Sequence, residues 1–591
     1  MKTNIRQKLI NLFGEENLTW NTEKGEYSYK TFYNGHKFLD LRFQFKDISI
    51  LCETKASGIK LRDKEIAQIL DYTLSEESEN KTKKIISILI NNDGEIRVYK
   101  NKEFLDDEKS LDESREHYIN LFKVKNTNNK EKVMQYTNEL NESLKGYGIS
   151  EKDRSQLVGT MLVALNHGLN YSPNSTTKQI CVGIEEIIDN CLDGNTNKTK
   201  KLDVLRTCLN SQEVRELSPN SICDILDFIN NNLIPYINDE TYVGQDLLNL
   251  FFTTFNKYVG RADKNQAFTP DHIVCWMCKL ANVNKNSKIL DPTCGSGSFL
   301  VQALTQAIRT CDTDSDKEKV LKNNIFGFEN EDKAFGLATT NMLIHKDGKS
   351  NICFGDCFEH KGTIGNSNIN TILMNPPYNA NYNKSNALKA ILEDEYGYTE
   401  KKQQNNKKKE DPTKGLVFVN KICEWVGKGV CLCVLPLQAA IGNSTELAMA
   451  KKKLLDNNTL EAVYSMPNQL FYPGAAASVC VMQIRVGQRH NQDVPTFFGY
   501  FKDDGHMLKK NLGRVDTNNK WEDIEKKWLD AFVYKKIIPG LSVMKNVTHT
   551  DEWLAEAYMQ TDYSKLSQTD FEKTIRDYLS YVIKKGEESD E

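Results

Sequence analysis

The tetrapeptide Asn-Pro-Pro-Tyr occurs once in the chain, at residues 375–378, directly after the apolar run NTILM. Neither proline can donate a hydrogen bond to a β-sheet, so a strand must end there. The side-chain oxygen of Asn375 and the carbonyl of Pro376 can accept both hydrogens of an amino group on an aromatic ring, which activates and orients its nitrogen. Tyr378 offers a face for a planar base, which must leave a duplex to reach such a pocket. A tight turn that only ends a strand is the alternative interpretation.

A second candidate site is the glycine-rich turn in KILDPTCGSGSFLVQAL, which reads as a strand, a turn and a helix. Gly295 and Gly297 allow the backbone to bend sharply and approach a ligand closely. The helix that follows directs free N–H groups and a positive dipole end at the turn. Asp291, at the end of the strand, would repel a phosphate, so we expect a cationic or zwitterionic ligand, and S-adenosylmethionine fits. A dinucleotide site or plain N-capping carboxylates are the alternatives.

Two further apolar strands end in carboxylates. IFGFE ends at Glu329, which would accept hydrogen bonds from ribose hydroxyls, and NICFGD ends at Asp356, which would accept one from an adenine amino group. Open α/β sheets bind ligands at the carboxyl ends of their strands, so these carboxylates should share one edge. The sequence therefore predicts a cofactor site formed by Asp291, Gly295, Ser296, Gly297, Glu329, Asp356 and Asn375.

A third group of carboxylates lies near the N-terminus, where Asp40 ends KFLD and where Glu53 and Lys55 lie in ISILCETK. Residues 53 and 55 of a strand point to the same face. If the two strands form a hairpin, Asp40 and Glu53 can ligate one Mg²⁺, which prefers few carboxylates plus water and phosphate oxygens. Lys55 would then orient or deprotonate the attacking water. Asp47 competes with Asp40 as a ligand but falls in the expected turn, and an exposed strand with ordinary surface charges is the alternative.

The elements that position these residues divide the 591-residue chain into several zones, because that length exceeds one hydrophobic core. The alternation of short apolar strands with helices after residue 256 predicts a mostly parallel, Rossmann-like sheet within an α/β multidomain fold. The low-complexity run KKQQNNKKKEDPTK, residues 401–414, is expected to be a mobile loop. The predicted zones are 1–122 (α/β, with paired strands and a hairpin turning at Asp93-Gly94), 130–255 (helical), 256–500 (the sheet) and 501–591 (a helical tail).

The bulk composition limits the class of protein. A net charge of −4 gives no global case for nucleic-acid binding, so a DNA surface must be local or shared with a partner. No apolar stretch approaches the roughly 18 residues that a membrane span needs, and the N-terminus lacks the apolar core of a signal peptide. The 15 cysteines are scattered, which favours reduced thiols and a cytoplasmic location.

Taken in order, DPTCGSGSF and NPPY resemble the gamma-class amino DNA methyltransferases, in which Asn-Pro-Pro-Tyr favours adenine as the target. The segment GQAFTPDHIV resembles the part of that class that contacts the cofactor carboxylate, which implies this role for Phe268, Thr269 and Pro270. The segment QLFYPGAAASVCVMQI resembles a later part in which an aromatic ring helps to enclose the flipped base. This implies Phe471, with Tyr472 next to it.

The N-terminal Asp…Glu-x-Lys pattern resembles the PD-(D/E)xK nucleases. Gln68 and Tyr72, on the helix after the strands, resemble the Gln-x-x-x-Tyr companion of several such enzymes. Leu39 stands where that family often has proline. The resemblance implies Mg²⁺-dependent DNA cleavage.

Together, the two patterns resemble the nuclease-methyltransferase subunits of BcgI-type (type IIB) restriction systems, and the tail resembles type I modification subunits. This implies S-adenosylmethionine and Mg²⁺ as cofactors, double-stranded DNA as substrate, a separate specificity subunit and further copies of the chain as partners, and a prokaryotic cytoplasm. A modification-only subunit with an inactive N-terminal scaffold is the alternative. A non-catalytic binding module is a third interpretation, which the full set of cofactor residues disfavours.

Overall fold

The structure is a computed structural model that forms two compact units, residues 1–130 and 131–591. The predicted residues Asp47, Phe268 and Tyr472 lie outside the residues that it describes. The described residues are 5–22, 27–30, 36–45, 48–80, 84–105, 110–111, 114–121, 126–195, 197–237, 269–345, 351–471, 477–509, 513–560 and 567–587.

The N-terminal unit is built on a six-stranded sheet. Its elements are α1 Ile5–Phe13, β1 Leu18–Thr19, β2 Tyr27–Lys30, β3 His36–Leu39, β4 Leu41–Phe45, β5 Ile48–Lys55, α2 Asp63–Glu79, β6 Lys84–Asn91, β7 Ile96–Lys100, β8 Glu103–Phe104 and α3 Arg115–Asn120. The strand order is β1-β4-β5-β6-β7-β8. Because α2 crosses over between β5 and β6, these two strands pair in parallel, while their other neighbours are antiparallel.

Both predicted hairpins of this unit are confirmed. β4 pairs antiparallel with β5, with Leu41 opposite Cys52, and β6 pairs antiparallel with β7 across the turn that contains Asp93-Gly94. The run KFLDLRFQF, however, is not one strand. The chain bends at Asp40, so β3 pairs with β2 in a separate two-stranded sheet.

A buried carboxylate joins α2 to this sheet. Glu76 is fully buried, and its Oε1 and Oε2 accept hydrogen bonds from the Arg42 guanidinium at 2.6 and 2.9 Å. Hydroxyl groups of Ser49 and Tyr29 donate to the same carboxylate, each at 2.6 Å. Burial alone would raise the pKa of Glu76, but the hydrogen bonds from Arg42, Ser49 and Tyr29 lower it to about 2.

We expect Glu76→Gln to destabilise the N-terminal unit by about 3 kcal/mol, because it leaves the buried Arg42 charge without its partner. Hydrogen exchange measured by mass spectrometry over β5 would report this as faster exchange. The stabilisation should be fully present above about pH 4.5 and decline as pH falls through about 2.

The adjacent Glu77→Gln is the control. Glu77 forms an exposed pair with Lys102, so its substitution should cost less than about 1 kcal/mol. Equal exchange in the two variants would contradict this account.

The second unit begins with a helical segment, as predicted. Its helices are α4 Asn126–Gly146, α5 Glu151–Asn166, α6 Thr177–Cys191, α7 Lys198–Leu209, α8 Gln212–Arg215, α9 Pro219–Asn232 and α10 Ile234–Ile237. They enclose an apolar cluster of their own, yet they pack tightly against the sheet that follows. A Cβ added at Gly336 would lie 2.9 Å from side-chain atoms of both Gln156 and Val204. The helical segment and the sheet are therefore one compact unit rather than the two predicted domains.

The rest of this unit surrounds a nine-stranded sheet. Its elements are α11 Asp271–Leu280, β9 Ile289–Asp291, α12 Ser298–Arg309, α13 Asp314–Asn323, β10 Ile325–Glu329, α14 Asp332–Ile344, β11 Asn351–Phe354, α15 Lys361–Asn366, β12 Thr371–Met374, α16 Asn386–Tyr396, α17 Glu400–Asn405, α18 Leu416–Val426, β13 Gly429–Pro436, α19 Leu437–Ile441, α20 Thr445–Asn457, β14 Thr459–Ser465, β15 Val479–Val486, β16 Thr496–Tyr500, β17 Met507–Lys509, β18 Gly513–Val515, α21 Trp521–Val533, β19 Ser542–Lys545 and α22 Gln568–Glu587. The strand order is β11-β10-β9-β12-β13-β15-β14-β16-β19.

The apolar runs KILD, IFGFE, NICFGD and NTILM form strands β9 to β12, as predicted. β9 to β13 are mutually parallel, and β15 inserts antiparallel between β13 and β14. Alternate residues along the central strands enter two large apolar clusters, one on each face of the sheet. Burial on both faces explains why these strands read as continuous apolar runs.

The packing of this unit extends beyond the predicted division at residue 500. β19 pairs antiparallel with β16 and extends the sheet by one strand. Trp553, Leu554 and Ala555 are buried in the apolar cluster on one face. Residues 501–560 therefore complete the sheet and its core, and the helical tail proper is α22. Among the described residues, no helix combines the length and the apolar character needed to cross a bilayer.

Candidate active site

The predicted cofactor and base residues meet at one edge of the nine-stranded sheet. β11, β10, β9 and β12 are parallel neighbours, so their carboxyl ends lie side by side. Asp291 and Glu329 are the last residues of β9 and β10. Asn375 follows directly after β12, and Asp356 lies two residues after the end of β11. Strands that are up to 80 residues apart in the chain thus bring four polar side chains to one place, as the sequence predicts.

The glycine-rich turn between β9 and α12 has the conformation that its glycines were expected to allow. Gly295 and Gly297 have φ values of 55° and 85°, in the left-handed region. A Cβ added at Gly295 would meet no atom within 4 Å, so the backbone borders open space there. Glu329 Oε2 accepts a hydrogen bond from Gly295 N at 2.9 Å. Ser296 is buried, and its carbonyl accepts a hydrogen bond from Asn341 Nδ2 at 2.7 Å, which anchors the turn to α14.

The electrostatics of this edge favour a positively charged ligand. Asp291 is 1% exposed, and burial raises its pKa to about 8 although Thr293 N donates to Oδ1 at 3.0 Å. The nearby negative charge of Glu329 also raises the pKa of Asp291. Burial likewise raises the pKa of Glu329, in spite of its backbone hydrogen bonds. A cation at this edge would offset the repulsion between the two carboxylates, which fits the amino group and sulfonium of S-adenosylmethionine.

Asp356 is tied to the segment that follows the Asn-Pro-Pro-Tyr turn. Its Oδ1 accepts a hydrogen bond from Phe358 N at 3.0 Å, and its Oδ2 accepts one from the Ser385 hydroxyl. Ser385 in turn caps α16 by accepting from Leu388 N at 2.9 Å. The sequence analysis did not identify Ser385. A serine at a helix N-cap is common, and nothing in the sequence indicates that its hydroxyl also binds Asp356.

Asn375 has its amide orientation fixed from two sides. Its Nδ2 donates to Thr269 Oγ1 at 3.1 Å, and its Oδ1 accepts from the Tyr378 hydroxyl at 2.7 Å. Burial raises the pKa of Tyr378 well above its ordinary value, so the phenol remains a donor. Thr269 was predicted as a cofactor contact, and Tyr378 as a catalytic residue that stacks on the base. The structure adds that both side chains bind Asn375, a pairing across 106 positions for which the sequence gives no signal.

Pro376 is supported by the run that was expected to be a mobile loop. Residues 401–414 instead contain the end of α17 and a turn built on Asp411, which is fully buried. The Asp411 carboxylate accepts hydrogen bonds from Thr413 N and from Gly415 N, both at 2.8 Å. A Cβ added at Gly415, where φ is 92°, would lie 3.3 Å from the Pro376 ring. The prediction of a mobile loop was wrong because this turn packs against Pro376, a residue distant in the chain, whereas the run itself has no apolar periodicity.

The remaining predicted residues of this site are Pro270 and Phe471. Pro270 precedes the first residue of α11 and serves as its N-cap. Phe471 is buried in the apolar cluster on the face against which Tyr378 also packs. Their roles towards the cofactor and the base remain predictions.

In the N-terminal unit, the predicted nuclease residues form one hydrogen-bonded cluster. Lys55 Nζ lies 2.7 Å from Glu53 Oε1 and 2.8 Å from Gln68 Oε1. Gln68 Nε2 donates to Glu53 Oε1 and to the Tyr72 hydroxyl, both at 3.0 Å. Lys55 and Glu53 therefore share a face of β5, as predicted, and α2 supplies Gln68 and Tyr72 to the same place.

Asp40 stands at the bend before β4, beside this cluster. Its Oδ2 accepts hydrogen bonds from the backbone N and the hydroxyl of Thr54, at 2.7 and 2.6 Å. Burial raises the pKa of Glu53, and the negative charge of Asp40 adds to this effect. The second oxygen of Glu53, Oε2, is buried and has no hydrogen-bond partner among the described residues. A divalent cation would satisfy that oxygen and offset the repulsion, so Asp40 and Glu53 fit a Mg²⁺ site.

The sheet carries a glycine-rich turn and polar strand ends at one edge. Comparison of the sequence with known protein families identifies the family of this chain. A model described as N-6 DNA Methylase matches residues 245–586, and the chain belongs to that family. The type II restriction enzyme and methyltransferase RM.BcgI of Heyndrickxia coagulans is 31% identical over 343 residues, which are 57% of this chain and 49% of that protein. The type I restriction enzyme EcoEI methylase subunit of Escherichia coli is 24% identical over 230 residues, 37% of this chain and 42% of the relative. The chain thus spans about half or less of these relatives.

Solved structures share the fold. A modification subunit of a putative type I restriction enzyme from Vibrio vulnificus YJ016 matches with a TM-score of 0.51 and 16% identity, covering 70% of this chain and 92% of that one. A chain from a structure of a type I R-M system matches with a TM-score of 0.52 and 14% identity, covering 77% and 96%. At this level of identity, the similarity concerns the fold alone.

We expect Asp291→Asn to raise the melting temperature relative to the parent chain, and the difference to grow between pH 6 and pH 8. The folded chain holds a proton on Asp291 up to a pKa of about 8, whereas the unfolded chain releases it near pH 4, so the parent loses stability over this interval. Above about pH 8 the difference should level off.

Differential scanning fluorimetry of the ligand-free chain measures this. Asp314→Asn is the control, because that carboxylate is 97% exposed on α13 and should give a pH-independent difference. A flat difference for Asp291→Asn as well would show that this carboxylate is ionised throughout.

Proposed function

We propose that this chain is a DNA methyltransferase that transfers a methyl group from S-adenosylmethionine to the exocyclic amino group of adenine, and that its N-terminal unit cleaves DNA lacking this modification. The observation that carries the first part is the fixed orientation of Asn375 at the edge where Asp291, Glu329 and Asp356 meet. The unsatisfied, buried Glu53 oxygen beside Asp40 and Lys55 supports the second part.

The contacts of Asn375 give its amide one chemical role. Nδ2 donates to Thr269 Oγ1 and Oδ1 accepts from the Tyr378 hydroxyl, so Oδ1 is the acceptor atom of this amide. An adenine amino group carries two hydrogens. Oδ1 would accept one and the Pro376 carbonyl the other, with the carbonyl direction fixed by the proline ring and its contact with the Gly415 turn. Both bonds would draw electron density back onto the nitrogen and aim its lone pair at the methyl carbon. Transfer would leave the donor as a neutral thioether, and the cationic amino nitrogen would release one proton to solvent.

The residues at the strand ends would hold the methyl donor. The open space at Gly295 and the two buried carboxyl groups of Asp291 and Glu329, whose pKa values are raised by burial, fit a ligand with positive charge and no phosphate. When bound, S-adenosylmethionine would supply a methyl group activated by its sulfonium. Asp291 would attract the positively charged part of the donor, Glu329 would accept from ribose hydroxyls, and Asp356 would accept from its adenine amino group.

The target adenine would have to leave the duplex, since Asn375 is only partly exposed at the sheet edge. Stacking on Tyr378 and enclosure by Phe471 would offset part of the lost base stacking. The net charge of −4 supports a DNA surface that is shared with another subunit.

The N-terminal unit would hydrolyse a phosphodiester. Asp40 and Glu53 would hold Mg²⁺, which when bound stabilises negative charge on the phosphate. Lys55 is held by Glu53 and Gln68 on the same face of β5, so its ammonium can orient the attacking water. Tyr72 positions Gln68 and is itself anchored to the Phe38 carbonyl at 2.8 Å.

A separate specificity subunit and further copies of the chain are proposed as partners. α22 supports this, because Ile575, Tyr578, Leu579 and Val582 are 45–65% exposed along one side of the helix. Residues spaced by three, four or seven positions form a continuous apolar stripe, which typically packs against another helix. The relatives that are named as type I methylase subunits support the same arrangement. A cytoplasmic, prokaryotic location follows from the proposed function.

We expect Asn375→Ala to lower the rate of methyl transfer by at least about 100-fold while S-adenosylmethionine still binds, because the substitution removes one of the two acceptors that orient the amino group. Transfer of a labelled methyl group to unmethylated DNA, followed by nucleoside analysis for N6-methyladenine, measures this. Asn383→Ala, at an exposed position shortly after the turn, is the matched control and should retain the parent rate. Unchanged transfer in Asn375→Ala would refute the assigned chemistry.

For the nuclease, we expect Glu53→Ala and Lys55→Ala each to abolish Mg²⁺-dependent cleavage of unmethylated DNA without lowering methyl transfer. The first removes a metal ligand, and the second removes the group that orients water. Plasmid linearisation with and without EDTA measures cleavage. Lys60→Ala, an exposed lysine in the same unit, is the control. If the parent chain methylates but never cuts, the modification-only alternative holds, and intact cleavage in both variants would rule out these residues.

A further inference from the structure

A buried polar cluster joins the C-terminal part of the second unit to its cofactor edge. Asp504, which precedes β17, is fully buried and accepts a hydrogen bond from His272 Nε2 at 3.1 Å through Oδ2. Its other oxygen accepts from the Arg514 guanidinium, which comes from β18, and from His506 N at 3.0 Å. The His506 ring stacks on His272 with 3.9 Å between ring centroids, and Trp521 contacts both rings edge-on.

Each end of this cluster reaches a segment of the candidate site. His272 is the second residue of α11, directly after the Thr269-Pro270 segment whose threonine binds Asn375. Arg514 Nη1 donates to the Asn468 carbonyl at 3.2 Å, in the turn that leads to Phe471. The cluster therefore connects the segment on one side of Asn375 with the turn that carries the predicted base-enclosing ring.

We propose that His272, Asp504 and Arg514 form a positioning bridge, which fixes the Thr269-Pro270 segment relative to the Asn468–Phe471 turn and so aligns Asn375 for methyl transfer. This inference rests on the proposed methyltransferase function. It assigns a positioning role to Asp504 and Arg514, which lie in the segment that the sequence predicted only as a helical tail.

The charges of the bridge suit a fixed connection. Burial lowers the pKa of His272 to about 4, so the ring is neutral at neutral pH and donates from Nε2. Burial would raise the pKa of Asp504, but the hydrogen bonds from His272 and Arg514 hold it well below its ordinary value. The negative charge of the Asp504 carboxylate and the positive charge of the Arg514 guanidinium therefore balance. The neutral imidazole of His272 connects this ion pair to α11. A charge-assisted bond of this kind resists bending more than a neutral one does.

The same residue types can hold a metal ion, since ligand atoms of His272, Asp504 and His506 lie within 4.8 Å of one another. Arg514 argues against a cation there, because its guanidinium already occupies one carboxylate oxygen and would repel a second positive charge. Both oxygens of Asp504 accept hydrogen bonds from protein donors, so no ligand is needed to satisfy them.

The test compares His272→Phe and Arg514→Ala with His272→Gln in the full chain. Phenylalanine keeps the ring but cannot donate, whereas glutamine places an N–H near the position of Nε2. Arg485→Ala is the matched control, because Arg485 forms an exposed pair with Glu461 at the opposite end of the strands. The readouts are S-adenosylmethionine affinity by calorimetry, the methyl-transfer rate, the melting temperature, and hydrogen exchange of the α11 segment.

We expect His272→Phe and Arg514→Ala to slow methyl transfer by about 10- to 100-fold, the penalty of a displacement near 1 Å, with faster exchange at the start of α11. His272→Gln should restore most of the rate, and Arg485→Ala should match the parent. If a disruptive variant fails to fold, Arg514→Lys, which keeps the charge but loses the planar fork, should show an intermediate rate.

Parent-like rates and exchange in both disruptive variants would overturn the bridge, as would equal damage in His272→Gln and His272→Phe. Stoichiometric metal in the purified chain that is lost in His272→Phe, measured by plasma mass spectrometry, would also overturn it. Failure of the proposed function looks different, because the parent chain itself would neither bind S-adenosylmethionine nor methylate DNA. Exchange at α11 still tests the bridge in that case.

Discussion

The parallel alignment of β9, β10, β11 and β12 is the constraint on which the candidate methyltransferase site depends. Neighbouring parallel strands end at the same edge of the sheet. The polar residue at or just after the end of each strand therefore lies at that edge. Close packing of side chains in the apolar clusters on both faces of the sheet holds the strands in this register. The site therefore draws its precision from the core rather than from its own few hydrogen bonds.

Buried carboxylates in this protein fall into two kinds. Glu76 and Asp504 are saturated with donors, and the pKa of each lies below its ordinary value. Asp291 and Glu53 have too few donors for their burial, and the pKa of each is raised. A buried carboxylate with enough hydrogen-bond donors stabilises the fold around it. A buried carboxylate with too few donors destabilises the fold, and a bound cation can offset that cost. We assign Glu76 and Asp504 structural roles and Asp291 and Glu53 roles in ligand binding. Asp411 is a structural acid whose pKa is raised by burial despite its donors.

Support for the catalytic turn comes from segments far away in the chain. Thr269 fixes the Asn375 amide, and the Asp411 turn places Gly415 against Pro376. Trp553 and β19 complete the sheet from the C-terminal side. Segments that lie before, between and after the strands of the site thus support it. Thr269 and the Asp411 turn contact the site residues themselves, and the C-terminal strand extends the sheet that carries them.

The sequence by itself determined which segments become strands and which residues end them, because apolar runs, glycine turns and paired prolines act locally. It also placed Glu53 and Lys55 on one strand face by simple alternation, and the Gln68 and Tyr72 helix beside them. Tertiary structure decided the rest. The break of the first hairpin strand at Asp40, the ordering of residues 401–414 and the hydrogen bond from Asn375 to Thr269 all depend on partners distant in the chain. A pattern of residue types specifies what a side chain can donate or accept, but only the packed fold decides which partner it meets.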